Sequence, residues 1–160
     1  MMRVLSFDEY ERIFDKIFDE FQFDPVYRET DPPDKPWLVP PFPFVRYRLS
    51  GLWDGTREKA VNEMFKKIIG GEMYALDYHH EALIFSPYED IPLDYFYYDE
   101  ERDCNVYFPS FYPNGDYYFF SSFDFKTGLY GHPWKEEIIV CGEELIREFE
   151  KAKDLLEIYS

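Results

Sequence analysis

Cysteine, histidine and glycine are scarce in this 160-residue chain, at two, three and eight residues. Cys104 and Cys141 form no CxxC or Cys/His spacing, which argues against a disulfide framework and a zinc ribbon. Both lie in strand-like segments, where reduced, buried cysteines act as small hydrophobes. The glycines build no GxGxxG, GxxxxGK[ST] or GxSxG string, which excludes the common phosphate loops and the nucleophile elbow. No apolar run approaches the ~20 residues of a membrane span. The opening MMRVLSFDEY has no apolar leader core, so the expectation is a cytoplasmic protein without membrane contact. Bases are also few: 17 Lys and Arg face 33 Asp and Glu, a net charge of -16. That field repels nucleic acid and draws basic partners, although it also serves solubility.

Aromatics are abundant, at 22% of the chain, within a composition that is 46% hydrophobic and 31% charged. These values belong to a globular protein. Area scaling gives about 8,500 Å² of folded surface and burial of roughly 70% of the unfolded chain's surface. A core of that size needs no metal or disulfide staple, and no cofactor is expected. The length fits a single domain, residues 1–160.

Apolar periodicity then places the elements. Ser6 and Glu9 form a capping box ahead of Phe7, Tyr10, Ile13, Phe14, Ile17, Phe18 and Phe21, one face of a helix. Residues 24–43 hold six prolines between Pro32 and Pro43 and read as an extended loop, pinned by Trp37 and Leu38. Residues 44–49 alternate as a strand, and a second helix runs from about Thr56 to Ile69, ended by Gly70 and Gly71. Strands follow at 73–78, 81–85, 105–108, 117–125, 129–134 and 137–141, with a turn at Pro113-Asn114-Gly115-Asp116. The last helix spans about Glu143 to Ile158. Strands gathered in one run predict an α+β fold: a mainly antiparallel sheet of about five to six strands packed with three helices.

Three groups of residues could carry chemistry. On a continuous strand, Asp77, His79 and Glu81 share one face, a pattern that can hold a metal or move protons. Zinc sites use ligands in recognisable pairs, which are absent here, so no metal is expected and a polar sheet surface is the plainer reading. The string Gly131-His132-Pro133-Trp134 makes His132 either a reactive residue or the centre of a bulged corner, and the structural reading is favoured. If the chain is an enzyme, the candidates are Asp77, His80, Glu81 and His132, in a small hydrolase.

Segment 86–103 is the third group. Seven acids stand there against one base, Arg102, around Tyr95, Phe96, Tyr97 and Tyr98. Tyrosine gives contact area with a polar tip, and adjacent carboxylates pair with Lys or Arg of a partner. The alternative is a solvated loop whose rings fold back into the core.

The strings MYALDYHHEALIFSP (73–87) and YPNGDYYFFSSFDFKTGLYGHPWKEEIIVCGEELI (112–146) resemble short bacterial proteins of the domain-of-unknown-function family 2716. The likeness lies in YALD with a following His, the DYYFF-like strand, the DF strand, GHPW and the strand ending in Gly. It implies no catalytic residues, since the family has no established activity, and by association it suggests an immunity protein. Tyr78-His79-His80 stands where Trp-Gln-His is expected, so any shared role falls to His80.

Three readings result. The first is a protein-binding module, an immunity-type inhibitor that blocks a cognate toxin, such as a basic one, through Asp94, Tyr97, Tyr98, Asp99, Glu100 and Glu101. The second is the hydrolase. The third is a structural or regulatory domain whose core accounts for the aromatics.

Overall fold

The computed structural model describes residues 2–25, 28–32 and 34–160. Its main sheet has eight strands in the order β1-β4-β3-β7-β8-β9-β2-β10, each neighbouring pair antiparallel. The strands are β1 (Arg3–Val4), β2 (Phe44–Leu49), β3 (Met73–Asp77), β4 (Ala82–Phe85), β7 (Tyr118–Ser121), β8 (Gly128–His132), β9 (Glu137–Cys141) and β10 (Ile158–Tyr159). A separate two-stranded sheet pairs β5 (Phe96–Asp99) with β6 (Cys104–Tyr107). The helices are α1 (Phe7–Glu20), α2 (Gly55–Ile68), α3 (Glu143–Lys151) and α4 (Lys153–Leu156).

The α+β class and the antiparallel sheet stand, but eight strands replace the expected five to six. The six central strands fall on segments expected as strands from the sequence, at 44–49, 73–78, 81–85, 117–125, 129–134 and 137–141. The two additions, β1 and β10, are two-residue edges, too short to leave a period-two pattern. Four helices replace three because the last one breaks at Ala152 and ends at Glu157, whose φ is 53°. No Gly or Pro marks the break. Tertiary bonds instead take the final carbonyls: Trp53 Nε1 donates to Leu156 O at 2.8 Å, Arg57 Nε to Leu155 O at 2.8 Å and Ser50 Oγ to Glu157 O at 2.6 Å. The strand expected over 117–125 is shorter, since the chain turns at Ser122 and Phe125 takes a φ of 62°.

Both faces of the sheet are covered, and this explains the aromatic content. Along β7, Phe119 points to the side of α1 and Phe120 to the side of α2 and α3. Ile138, Ile139, Val140 and Cys141 alternate in the same way along β9. On one face, Ile13, Phe14 and Ile17 of α1 pack with Trp37 and Leu38 of the proline-rich loop. On the other, Val61, Met64 and Phe65 of α2 meet Leu145 and Phe149 of α3. An antiparallel sheet commonly leaves one face to water. Here neither face is free, and β3, β4, β8 and β9 are buried almost throughout, whereas β2 keeps Arg48 exposed. The folded surface is 8679 Å².

The predicted Ser6–Glu9 capping box is present, with Glu9 N 3.2 Å from Ser6 Oγ. Trp37 and Leu38 do pin the proline-rich loop. Asp24 N donates to Trp37 O at 2.8 Å and Val39 N to Phe21 O at 2.7 Å. Of the six prolines expected to keep this loop extended, Pro33 lies outside the described residues.

Gly131 shows how tightly the sheet is packed. A Cβ there would stand 2.6 Å from Pro113 Cβ and 2.9 Å from its Cγ. A proline ring cannot swing aside, so Gly131→Ala is expected to destabilise the fold by about 1–3 kcal/mol in urea unfolding. Gly55 starts α2 with nothing within 4 Å of the same added atom. Gly55→Ala should be neutral or slightly stabilising.

Candidate functional site

Two buried carboxylates meet at one end of the sheet. Asp77 is the last residue of β3 and lies beside β7, where it pairs with Tyr118. Asp116 ends the Pro113–Asp116 turn, just before that strand, so the pairing of β3 with β7 sets it next to Asp77. The two residues are only 5% and 7% exposed. The chain then turns back: Asp77 N donates to Glu81 O at 2.8 Å and His80 N to Asp77 O at 3.0 Å. That turn carries both histidines over the carboxylates. His80 Nδ1 lies 3.0 Å from Asp77 Oδ2 and 3.4 Å from Asp116 Oδ2. His79 Nδ1 lies 2.6 Å from Asp116 Oδ1, which also accepts from Tyr117 N at 2.7 Å.

The electrostatics follow from burial. Asp77 is pushed up to about 6, mainly by loss of solvent and further by Asp116, against the lowering effect of His80. His80 is raised, chiefly by its bond to Asp77. A cavity of about 450 Å³ opens on His79, His80 and Glu81, with Leu5, Tyr10 and Arg102 on its walls.

The expected alignment of Asp77, His79 and Glu81 on one strand face is corrected, because the strand ends at Asp77. Glu81 instead faces Arg102, at 3.4 Å. The partner that sequence reasoning missed is Asp116. Its turn was legible, but not the pairing that brings that turn to Asp77.

His132 does not join them. Its Nδ1 accepts the backbone N–H groups of Trp134 at 3.1 Å and Lys135 at 3.2 Å. The ring proton therefore sits on Nε2, 3.2 Å from the Tyr117 hydroxyl, which donates to Pro25 O at 3.0 Å. Burial, aided by Lys135, pushes His132 down to about 4. With both nitrogens used, His132 has none left for Asp77, His80 or Glu81. It serves as the polar centre of a corner.

The acidic segment folds as the β5–β6 hairpin. Phe96 pairs with Tyr107, and Tyr98 with Asn105. Val106 and Tyr97 face inward and pack on the core. Phe96, Tyr98 and Tyr107 face outward at 52%, 54% and 59% exposure, with the Phe96 and Tyr107 rings 5.2 Å apart. Asp94, Glu100 and Glu101 are exposed. Asp99 is turned inward. Its carboxylate accepts from Glu101 N at 3.0 Å and Arg102 N at 3.3 Å, and pairs with the Arg102 guanidinium at 3.3 Å. Arg102 also donates to Leu5 O at 2.6 Å. Tyr98 is hydrogen-bonded to Asp103. Cys104 is exposed, against the expectation of burial, because it sits at the tip of this small sheet rather than within the large one.

A further residue, Glu58, anchors the hairpin's base. Its carboxylate accepts from Phe111 N at 2.8 Å and Tyr112 N at 2.9 Å. It lies beside a cavity of about 440 Å³ that also touches Asp94 and Phe108. The signal was available: Glu58 falls on the apolar stripe of Val61, Phe65 and Ile68 at helical spacing.

The family described as "Protein of unknown function (DUF2716)" matches residues 4–146. The chain belongs to this family. The match takes in Asp77, His79, His80, Asp116, the hairpin and Glu58, and extends the resemblance of the C-terminal half to α1. A relative, the "Uncharacterized protein YxiI" of Bacillus subtilis (strain 168), is 44% identical over 84 residues, 52% of this chain and 47% of that protein. The chain thus spans about half the length of the curated relative it matches. No solved structure matches it. No helix among the described residues is long and apolar enough to cross a membrane.

Burial raises Glu58 to about 7, despite its two backbone bonds. A carboxyl raised on folding contributes stability that is full below the unfolded value near 4.5 and is lost as pH rises through 7. Glu58→Gln cannot ionise. Between pH 5 and pH 8 the wild type should therefore lose up to about 3 kcal/mol relative to this variant in urea unfolding. Parallel pH profiles would show that folding leaves the Glu58 carboxyl where it stands in the unfolded chain.

Proposed function

We propose that this chain is a protein-binding module whose outward hairpin face grips a basic protein. The observation that carries the reading is the set Phe96, Tyr98 and Tyr107, more than half exposed on one side of a separate two-stranded sheet. Solvent-facing aromatics of this kind are costly to leave uncovered and are rich in contact energy once covered. Around them stand the exposed acids Asp94, Glu100 and Glu101. The segment's one base, Arg102, is bound to Asp99, Glu81 and the Leu5 carbonyl, so it neutralises none of these three. A net charge of -16 steers a cationic partner toward the surface.

Within this class the finer reading is an immunity-type inhibitor of a bacterial toxin. Carboxylates in place of phosphates suit an enzyme whose own surface is basic, and steric cover of its active site is the simplest way to silence it. The contact set is Asp94, Phe96, Tyr98, Glu100, Glu101 and Tyr107. Tyr97 and Asp99 belong to the hairpin's internal support.

The test is affinity capture from a lysate of the source cells at low salt. The wild-type chain is compared with the triple variant Phe96→Ser, Tyr98→Ser, Tyr107→Ser, with folding checked by circular dichroism. One basic protein held by the wild type, released by salt and absent from the variant is the expected result. Equal capture by both would overturn the hairpin as the site, and capture by neither would overturn the binding reading. With the partner in hand, replacing Asp94, Glu100 and Glu101 by their amides should slow association about tenfold at low salt and little at high salt.

A further inference from the structure

We propose that Asp77, Asp116 and His80 bind one divalent transition-metal cation of the zinc class. Nδ1 of His80 and one carboxylate oxygen from each aspartate lie within 4.8 Å of one another. The distances from Nδ1 are 3.0 Å to Asp77 Oδ2 and 3.4 Å to Asp116 Oδ2. Ligand atoms bonded at about 2.1 Å to a tetrahedral ion stand about 3.4 Å apart. The two histidine–carboxylate distances match that spacing to within a few tenths of an ångström.

A second observation is independent of that spacing. Asp77 Oδ1 is shut off from solvent and has no hydrogen-bond partner. Orphaned buried oxygens are rare in folded proteins, because each forfeits its hydration without return. A cation bound to this carboxylate lessens the deficit, since it draws charge from both oxygens. It also offsets charge, since two buried carboxylates stand together against the His79 and His80 rings, and an unprotonated imidazole cancels neither. A divalent ion cancels both.

The surroundings resemble those of a metal centre. Asp77 ends β3 and Asp116 lies two residues before its partner strand β7, so the pairing of these strands fixes both before any ion arrives. His79 Nδ1 and Tyr117 N both hold Asp116 Oδ1 and leave its other oxygen for the ion. Such outer bonds orient ligands and tune their basicity. His80 lines the cavity of about 450 Å³, so water or a small ligand can complete the coordination, as in zinc sites that keep a position open. Nitrogen with two oxygens favours zinc, manganese, cobalt or iron(II) over calcium and magnesium, which take mainly oxygen and more of it.

The test uses the full chain carrying Cys104→Ser, which removes the exposed thiol as a competing ligand. After treatment with a chelator, the protein is titrated with Zn²⁺ by calorimetry and with Co²⁺ by visible absorption. The expected result is one equivalent bound, with Co²⁺ bands of low coordination number and a rise in Tm. His80→Gln should weaken binding more than tenfold and abolish the Tm rise. His79→Gln, a change in a positioning residue, should weaken binding by about tenfold. Asp77→Asn and Asp116→Asn complete the set. His80 is exposed enough that its replacement keeps the fold, so the test survives if an aspartate variant does not fold. Absence of a 1:1 complex, or equal affinity in the His80→Gln protein, would overturn the site and leave a protonated His80 as the bridge between the carboxylates. Neither result bears on the hairpin, whose capture experiment contains no metal step.

Discussion

The structure depends on covering both faces of one antiparallel sheet. Side chains alternate along a strand, so every central strand must supply apolar groups in both directions. β7 does this with Phe119 and Phe120, β9 with Ile138 to Cys141, and β3 with Ala75 and Leu76. Two separate layers are then required. α1 and the proline-rich loop form one, and α2 with α3 forms the other. The prolines suit the first layer, since a segment with few backbone donors can lie flat on a core without leaving many groups unsatisfied.

Double cover also determines where polar groups become costly. A carboxylate at the end of a one-sided sheet would face water. Asp77 and Asp116 sit where β3 and β7 emerge from between two layers, and the turn above them closes the remaining side. Glu58 reaches the same condition from a helix, because its stripe faces the hairpin's base. In each case the acid is buried because its element is covered, and backbone N–H groups or imidazole compensate for the lost water.

Much of this was legible in the sequence. Ser6 and Glu9 announced α1, and Gly70 and Gly71 announced the end of α2. The alternation in 44–49 and the turn at Asn114-Gly115 placed their strands. Edges two residues long could not be seen, because β1 and β10 are defined by their partners rather than by their own pattern. The end of the last helix was invisible for the same reason: Trp53 and Arg57, about a hundred residues earlier, hold the carbonyls of Leu156 and Leu155. The candidate site was half legible. Asp77 and His80 are neighbours in sequence, whereas Asp116 reaches them only through strand register. The choice of Asp99 as a surface acid failed on a local detail. An aspartate followed by Glu-Glu-Arg at a hairpin tip folds onto its own backbone N–H groups, and Arg102 holds it there.

Arg102 has a wider role than closing that turn. One guanidinium touches Asp99 at the hairpin tip, the carbonyl of Leu5 just past β1, and Glu81 in the turn that carries His80. The last two points belong to segments that share no ladder with the hairpin. The planar fork therefore acts as a rigid strut. Tilting the tip drags the first strand and the histidine turn with it. Arg102 also lines the cavity beside His80, so the tie between the hairpin and the histidine turn runs along that wall.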